Sequence, residues 1–184
     1  RIRGFGGSLH GSYRWKGKKT GVTAKWKNLE SAELPLPALV ARKIKGTLSG
    51  EAELKIDTTS SLALDGFIQL HGEKIRLDNL DLFIVQIPSG ELGRLDLQIG
   101  FEKSQAILRE AFLQGRDLAA RADGSVALQA PLSASPLHAE IFFKPMGDLV
   151  AKLTPLVSGK LRVDGEGYYR LALGGTLGFP IPEL

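Results

Sequence analysis

The chain has 184 residues, 43% of them hydrophobic and 24% charged, with a formal net charge of +4 and no cysteine. That length fits one domain, and the balance is that of a globular chain rather than a disordered one or a bundle of membrane spans. The missing thiols exclude disulfides, cysteine nucleophiles, cysteine zinc sites and iron–sulfur clusters.

Up to Lys27 there are eight basic residues (Arg1, Arg3, Arg14, Lys16, Lys18, Lys19, Lys25 and Lys27) and no Asp or Glu, so the remainder is net acidic. Phe5, Tyr13, Trp15 and Trp26 share this segment. Tyr13 and Trp15, then Val22, Ala24 and Trp26, alternate with basic or polar residues, which predicts two edge strands with a solvated face. The same mixture suits an anionic membrane surface, with Arg14, Lys16, Lys18, Lys19, Lys25 and Lys27 as the membrane-proximal residues. Nucleic acid is not expected as a partner, because no recognition helix or RNP-like strand follows and the acidic remainder repels phosphate.

Leu34-Pro35-Leu36-Pro37 reads as a stiff extended stretch, and Ala38 to Arg42 as one helical turn after Pro37. Glu51 to Asp57 then alternates strictly, with Ala52, Leu54 and Ile56 on one side. Ile68 and Leu70 continue the pattern. Ile75 and Leu77 share a parity that Leu80 and Leu82 break, which predicts a turn or bulge at Asp78-Asn79. Arg94 to Phe101 alternates again. Residues 105–113 have a helical composition but are read as a strand, being short and set among strands. Val126 and Leu128, then Leu137 to Phe143, Leu161 and Val163, and Tyr169 to Leu173 complete the series. Ser89-Gly90, Gly115-Arg116-Asp117, Asp123-Gly124, Asp164-Gly165 and Gly174-Gly175 punctuate the runs as turns. Gly147 to Leu153 predicts a short helix, capped by Asp148 and ended by Pro155.

The period of two predicts an all-β domain over residues 1–184: a single, highly curved, mainly antiparallel sheet with one or two short helices. Its apolar face comprises Leu54, Ile56, Ile68, Leu70, Leu95, Leu97, Ile99, Val126, Leu128, Ile141, Phe143, Leu171 and Leu173. Such a face must be covered. It either folds over a dry core as a closed β-sandwich or forms a half-pipe, a β-taco-like groove open to acyl chains or a partner. The shortage of helix to plug a trough favours the open groove.

Catalytic chemistry finds no foothold. Ser49, in Gly46-Thr-Leu-Ser-Gly, lacks the nucleophile-elbow spacing, and Gly4-Phe-Gly-Gly lacks the Lys-Ser/Thr of a phosphate loop. Asp78, with Asn79, fits a hairpin turn and Asp81 the solvent face better than the two fit an acid/base pair. His10, His71 and His138 lie too far apart in sequence to suggest a metal centre. No enzyme, metal or cofactor is expected. No run approaches the roughly 18 apolar residues of a membrane span.

Leu34-Pro35-Leu36-Pro37, followed by Ile44-Lys-Gly-Thr-Leu-Ser-Gly-Glu-Ala-Glu-Leu54, resembles a passage of the type II secretion system protein N (GspN) family. The ending Leu171-Ala-Leu-Gly-Gly-Thr-Leu-Gly-Phe-Pro180 is similar to the C-terminal motif of that family and of the broader AsmA/TamB-like class. The resemblance spreads over residues 20–182. It implies a non-enzymatic component of the bacterial type II secretion system on the periplasmic side of the inner membrane, docking on other secretion-system subunits. The wider class implies an alternative, a lipid-binding or lipid-transfer module that takes phospholipid or acyl chains. The family's single membrane helix has no counterpart here. The start at Arg1, without Met, fits a piece that follows such an anchor.

Overall fold

The computed structural model describes residues 2–4, 7–30, 43–57, 63–82 and 85–183. The stretch and turn expected over 34–42, together with Phe5, Phe83 and Ile84, lie outside them. Among the described residues there are fourteen strands: β1 (Ile2–Gly4), β2 (Gly7–Lys16), β3 (Lys19–Glu30), β4 (Ile44–Asp57), β5 (Ala63–Leu77), β6 (Leu80–Leu82), β7 (Val85–Ile87), β8 (Gly90–Glu102), β9 (Gln105–Gln114), β10 (Leu118–Ala127), β11 (Leu137–Pro145), β12 (Arg162–Val163), β13 (Tyr169–Thr176) and β14 (Phe179–Glu183). The α-helix α1 spans Leu149–Val157.

All but β6 and β7 join one open antiparallel sheet in the order β1-β2-β3-β4-β5-β8-β9-β10-β11-β13. β12 and β14 share the far edge of β13. The ends of this path do not pair, so the closed sandwich is set aside. β6 and β7 form a separate hairpin between β5 and β8. Its neck is tied where the sequence loses its parity: Ser89 donates its backbone N–H to Asn79 Oδ1 at 3.0 Å, and Asn79 has a positive φ of 32°. Residues 105–113 are strand, as expected.

The pairing is interrupted along one line across four neighbouring strands. Asn28, Gly46, Lys74 and Gly93 all have positive φ, and the registers of β3–β4, β4–β5 and β5–β8 shift beside them. Bulges of this kind bend the strand and sharpen its twist. Those at Asn28, Lys74 and Gly93 also reset the alternation, so that Leu29, Ile75, Leu77 and Leu92 return to the apolar side and are buried there. Ser49 serves this line. Its hydroxyl accepts the backbone N–H of bulged Asn28 at 3.0 Å.

Helix α1 closes that end of the trough. Leu149, Leu153 and Val157 recur every four residues on one stripe and are fully buried. Leu149 joins Leu48, Ile75, Leu77, Leu92 and Leu118. Leu153 and Val157 join Leu161, Tyr169, Leu171 and Leu173, and Phe143 packs against both groups. Two expectations need correction. Asp148 stands before the helix with helical dihedrals and makes no side-chain capping bond. Pro155 lies inside the helix rather than ending it. The helix runs past it because Val157, 0% exposed, anchors the last turn, and Ser158 N–H reaches Thr154 O at 2.8 Å.

Two of the glycine pairs expected in turns are also misplaced. Asp123-Gly124 lies within β10 and Gly174-Gly175 within β13. Gly124 is bare because a Cβ there would meet the His138 carbonyl oxygen at 2.6 Å, a close interstrand approach rather than a turn.

Candidate functional site: the open apolar face

The register places the expected residues on one face. Leu54 and Ile56 stand opposite Gly66 and Leu64, Ile68 opposite Ile99, and Leu70 opposite Leu97. Leu95 pairs with Leu113, Val126 with Leu137, Ile141 with Leu171, Phe143 with Tyr169 and Leu173 with Ala139. Leu128 is the exception, lying just past the end of β10, with its N–H on Ser104 O at 2.7 Å. Val22, Ala24 and Trp26, which alternate along β3, share the face through their β4 partners, and Leu108 and Ala111 on β9, which the alternation did not bring forward, share it through theirs on β8. The β9 pair was hidden by an extra residue near Arg109, which shifts the register on both sides of the strand.

The face has two regimes. Beneath α1 and beyond the bulge line it is sealed. Elsewhere its side chains, from Val22 through Leu54, Ile68, Leu97, Ile99 and Phe101 to Val126, are only half-buried. Among the described residues on this side of the bulges, the face positions from Val22 on β3 to Val126 on β10 are apolar side chains or glycine; the polar Thr20, opposite Ile56, stands at the corner beside the β2–β3 turn. The strand ends opposite the helix carry exposed apolar groups: Trp15, Leu132, Leu177 and Phe179. The loops there are pinned together, Gly178 N–H donating to Ser133 O at 2.7 Å.

The six basic residues are exposed on β2, β3 and the turn between them. Arg14, Lys16, Lys18 and Lys19 gather at the tip of this hairpin, at the unsealed end of the sheet. Lys25 sits farther back and pairs with Glu51 at 2.6 Å.

The wet face holds a cluster that sequence reading passed over. Ser49, His71 and Asp96 stand side by side across β4, β5 and β8, lining a shallow depression of about 560 Å³ with Arg94, Gln98 and Glu110. The row has the residue types of a catalytic triad, but its hydrogen bonds run elsewhere. His71 Nδ1 meets Asp96 Oδ1 at 2.7 Å, while Nε2 faces Glu73 at 3.4 Å. The Ser49 hydroxyl is engaged with Asn28. The Asp96 hydrogen bond raises the His71 pKa above its ordinary 6.5. Burial alone would raise Asp96, but hydrogen bonds from Arg94 and His71 outweigh it and hold the carboxyl low.

Asp117, 3% exposed, is a second polar node, where β9 turns into β10. Its carboxylate accepts from Arg116 at 3.0 Å and from the Glu91 N–H at 2.8 Å, and both lower its pKa. Its carbonyl accepts the Met146 N–H at 2.7 Å, tying the approach to α1 to this corner. Asp78, in contrast, pairs with Lys45 at 2.5 Å. Among the described residues no group of three or more His, Asp or Glu could hold a metal, and no helix is long and apolar enough to cross a membrane.

No protein-family model, curated protein or solved structure matches the chain.

Proposed function

We propose that this chain is a non-enzymatic lipid-handling module whose open aliphatic face lies along acyl chains. The observation that carries the reading is the contiguous, half-exposed apolar surface from Val22, Ala24 and Trp26 of β3 to Val126 of β10, sealed by α1 at one end. Monomeric proteins rarely leave a contiguous apolar patch of more than a few hundred Å² without a ligand or partner. Each methylene withdrawn from water contributes about 0.8 kcal/mol, so ten methylenes supply about 8 kcal/mol before the costs of binding. The exposed Trp15, Leu132 and Phe179 and the basic β2–β3 tip mark the end through which a chain enters. The hydrogen bonds that divert Ser49 and His71 from each other support a binding role over a catalytic one.

The test is mass spectrometry of lipid extracted from the purified protein. Phospholipid is expected with the native chain and is expected to be lost in Leu97→Asp, in the middle of the open face, and in Ile141→Asp, where that face meets the core sealed by α1. A lipid-free native protein that also takes none from vesicles overturns the reading.

A second reading, docking within a type II secretion apparatus on the periplasmic side of the inner membrane, rests on the family resemblance. It is favoured by one feature of the sheet, the outer edge of β2 from His10 to Lys16, beside which no strand lies among the described residues.

A further inference from the structure

The two long edges of the sheet are finished differently. β14 returns along β13 through the two-residue turn Leu177-Gly178, with Thr176 opposite Phe179. Residues flanking such a turn exchange both N–H···O bonds, and the bonded pairs then recur at every second position. Gly174–Ile181 and Ala172–Glu183 are therefore the bonded pairs. Pro180 and Pro182 fall between them, where an N–H would point away from the sheet. Proline has none, so this edge offers no donors at those positions to another strand. The rest of it is covered by the two residues of β12.

The opposite edge lacks these devices. β2 and β3 join through Gly17-Lys18, with Gly17 at a φ of 61° as a type II′ turn requires. Lys16–Lys19 flank the turn, and Arg14–Gly21, Ser12–Thr23 and His10–Lys25 follow as bonded pairs. The N–H and C=O groups of Gly11, Tyr13 and Trp15 therefore point outward. β1 covers β2 only as far as Leu9, and among the described residues no strand lies beside His10 to Lys16. The β2–β3 register has no bulge, and β2 has no proline.

The side chains along this edge specify what fits. On the apolar face Tyr13 and Trp15 are 67% and 71% exposed, although Val22 beside them is half-covered. On the wet face stand His10, Arg14 and Lys16, with Lys25 and Lys27 behind them on β3. A second copy added antiparallel about Ser12 would set His10 against Arg14, a pairing of basic groups that antiparallel sheets disfavour. We infer that the outer edge of β2, over residues 10–16, takes up an extended strand of a partner protein in which Asp or Glu alternates with apolar residues. The acidic side meets Arg14 and Lys16, the apolar side covers Tyr13 and Trp15, and the aliphatic wall continues into the partner. This rests on and deepens the docking reading; it shares Trp15 and the basic tip with the acyl-chain reading but does not use the aliphatic face at Leu97.

The test uses the full chain with Trp26→Phe, which leaves Trp15 as its only tryptophan, and an end-blocked peptide of alternating Glu and Val. A saturable blue shift of Trp15 emission is expected. Binding is expected to fall by about tenfold with an alternating Lys and Val peptide, and by a similar factor when the Glu–Val peptide is N-methylated along its pairing side. Tyr13→Pro, which removes an outward N–H, is expected to reduce binding while circular dichroism is unchanged. Leu97→Asp is expected to bind the peptide normally, which separates failure here from failure of the lipid reading. No shift, equal binding of the N-methylated peptide, or a concentration-dependent dimer that ignores the peptide would each overturn the inference.

Discussion

The indole of Trp26 covers the bare backbone of Gly50: a Cβ at that glycine would lie 2.6 Å from Trp26 Cζ2 and 2.2 Å from the Gln69 carbonyl oxygen. The indole could swing aside, but the carbonyl belongs to the β4–β5 ladder and cannot. Gly50→Ala is expected to lower stability by about 1–3 kcal/mol, the usual cost of overpacking. Gly21→Ala is the control, since its Cβ would meet nothing closer than the Arg14 carbonyl oxygen at 3.9 Å. Chemical denaturation of both variants measures the difference. Equal midpoints would contradict the close approach.

The helix seals its end of the trough through few side chains. Leu153 is 1% exposed, whereas Val150 on the same helix is 46% exposed. Leu153→Ala is expected to cost about 2–5 kcal/mol and Val150→Ala less than about 0.5 kcal/mol. A Leu153→Ala variant as stable as the native protein would mean that α1 does not pack on the sheet.

His71 makes stability depend on pH. Its folded pKa is raised, first by the hydrogen bond to Asp96, so the unfolded chain releases this proton at a lower pH than the folded one does. The stabilisation is fully present below the unfolded value of about 6.5 and is lost as pH rises through the raised folded value. The His71 ring proton followed by NMR is expected to titrate above 6.5, and lower in Asp96→Asn than in the native chain. A native midpoint at or below 6.5 would contradict the pairing.

Asp117 acts in the opposite direction. Arg116 and the Glu91 N–H hold its carboxyl below the ordinary 3.8, so its contribution is present above that value and disappears as pH falls through the lower folded one. Asp117→Asn is expected to lower the urea midpoint at pH 7 and to flatten its decline in acid. An unchanged acid profile would show that Asp117 is not the group responsible.

The regular part of this fold was legible because each strand buries one side. A period of two over Glu51 to Asp57 or Arg94 to Phe101 admits one structure and assigns each residue a face. What escaped reading depends on pairing. Asn28 and Lys74 adopt positive φ without the glycine that announces it, and the extra residue near Arg109 hides which side chains of β9 share the apolar face. His71 and Asp96 are 25 residues apart and meet only through the β5–β8 register. Pro155 reads as a helix stop because local rules ignore the burial of Val157 two residues later. Asp148 looks like a cap, yet the polar anchor before α1 is Asp117, whose carbonyl holds Met146.

Acyl chains lying along the aliphatic face can be detected from Trp26, which stands on that face opposite Gly50. In a Trp15→Phe variant it is the only tryptophan, and phospholipids brominated on their acyl chains quench an indole only at near contact. Wild-type residues elsewhere on the face should give strong quenching of Trp26, and Leu97→Asp with Ile141→Asp should remove it. Protein that retains phospholipid while Trp26 stays unquenched would place the lipid somewhere other than in the trough.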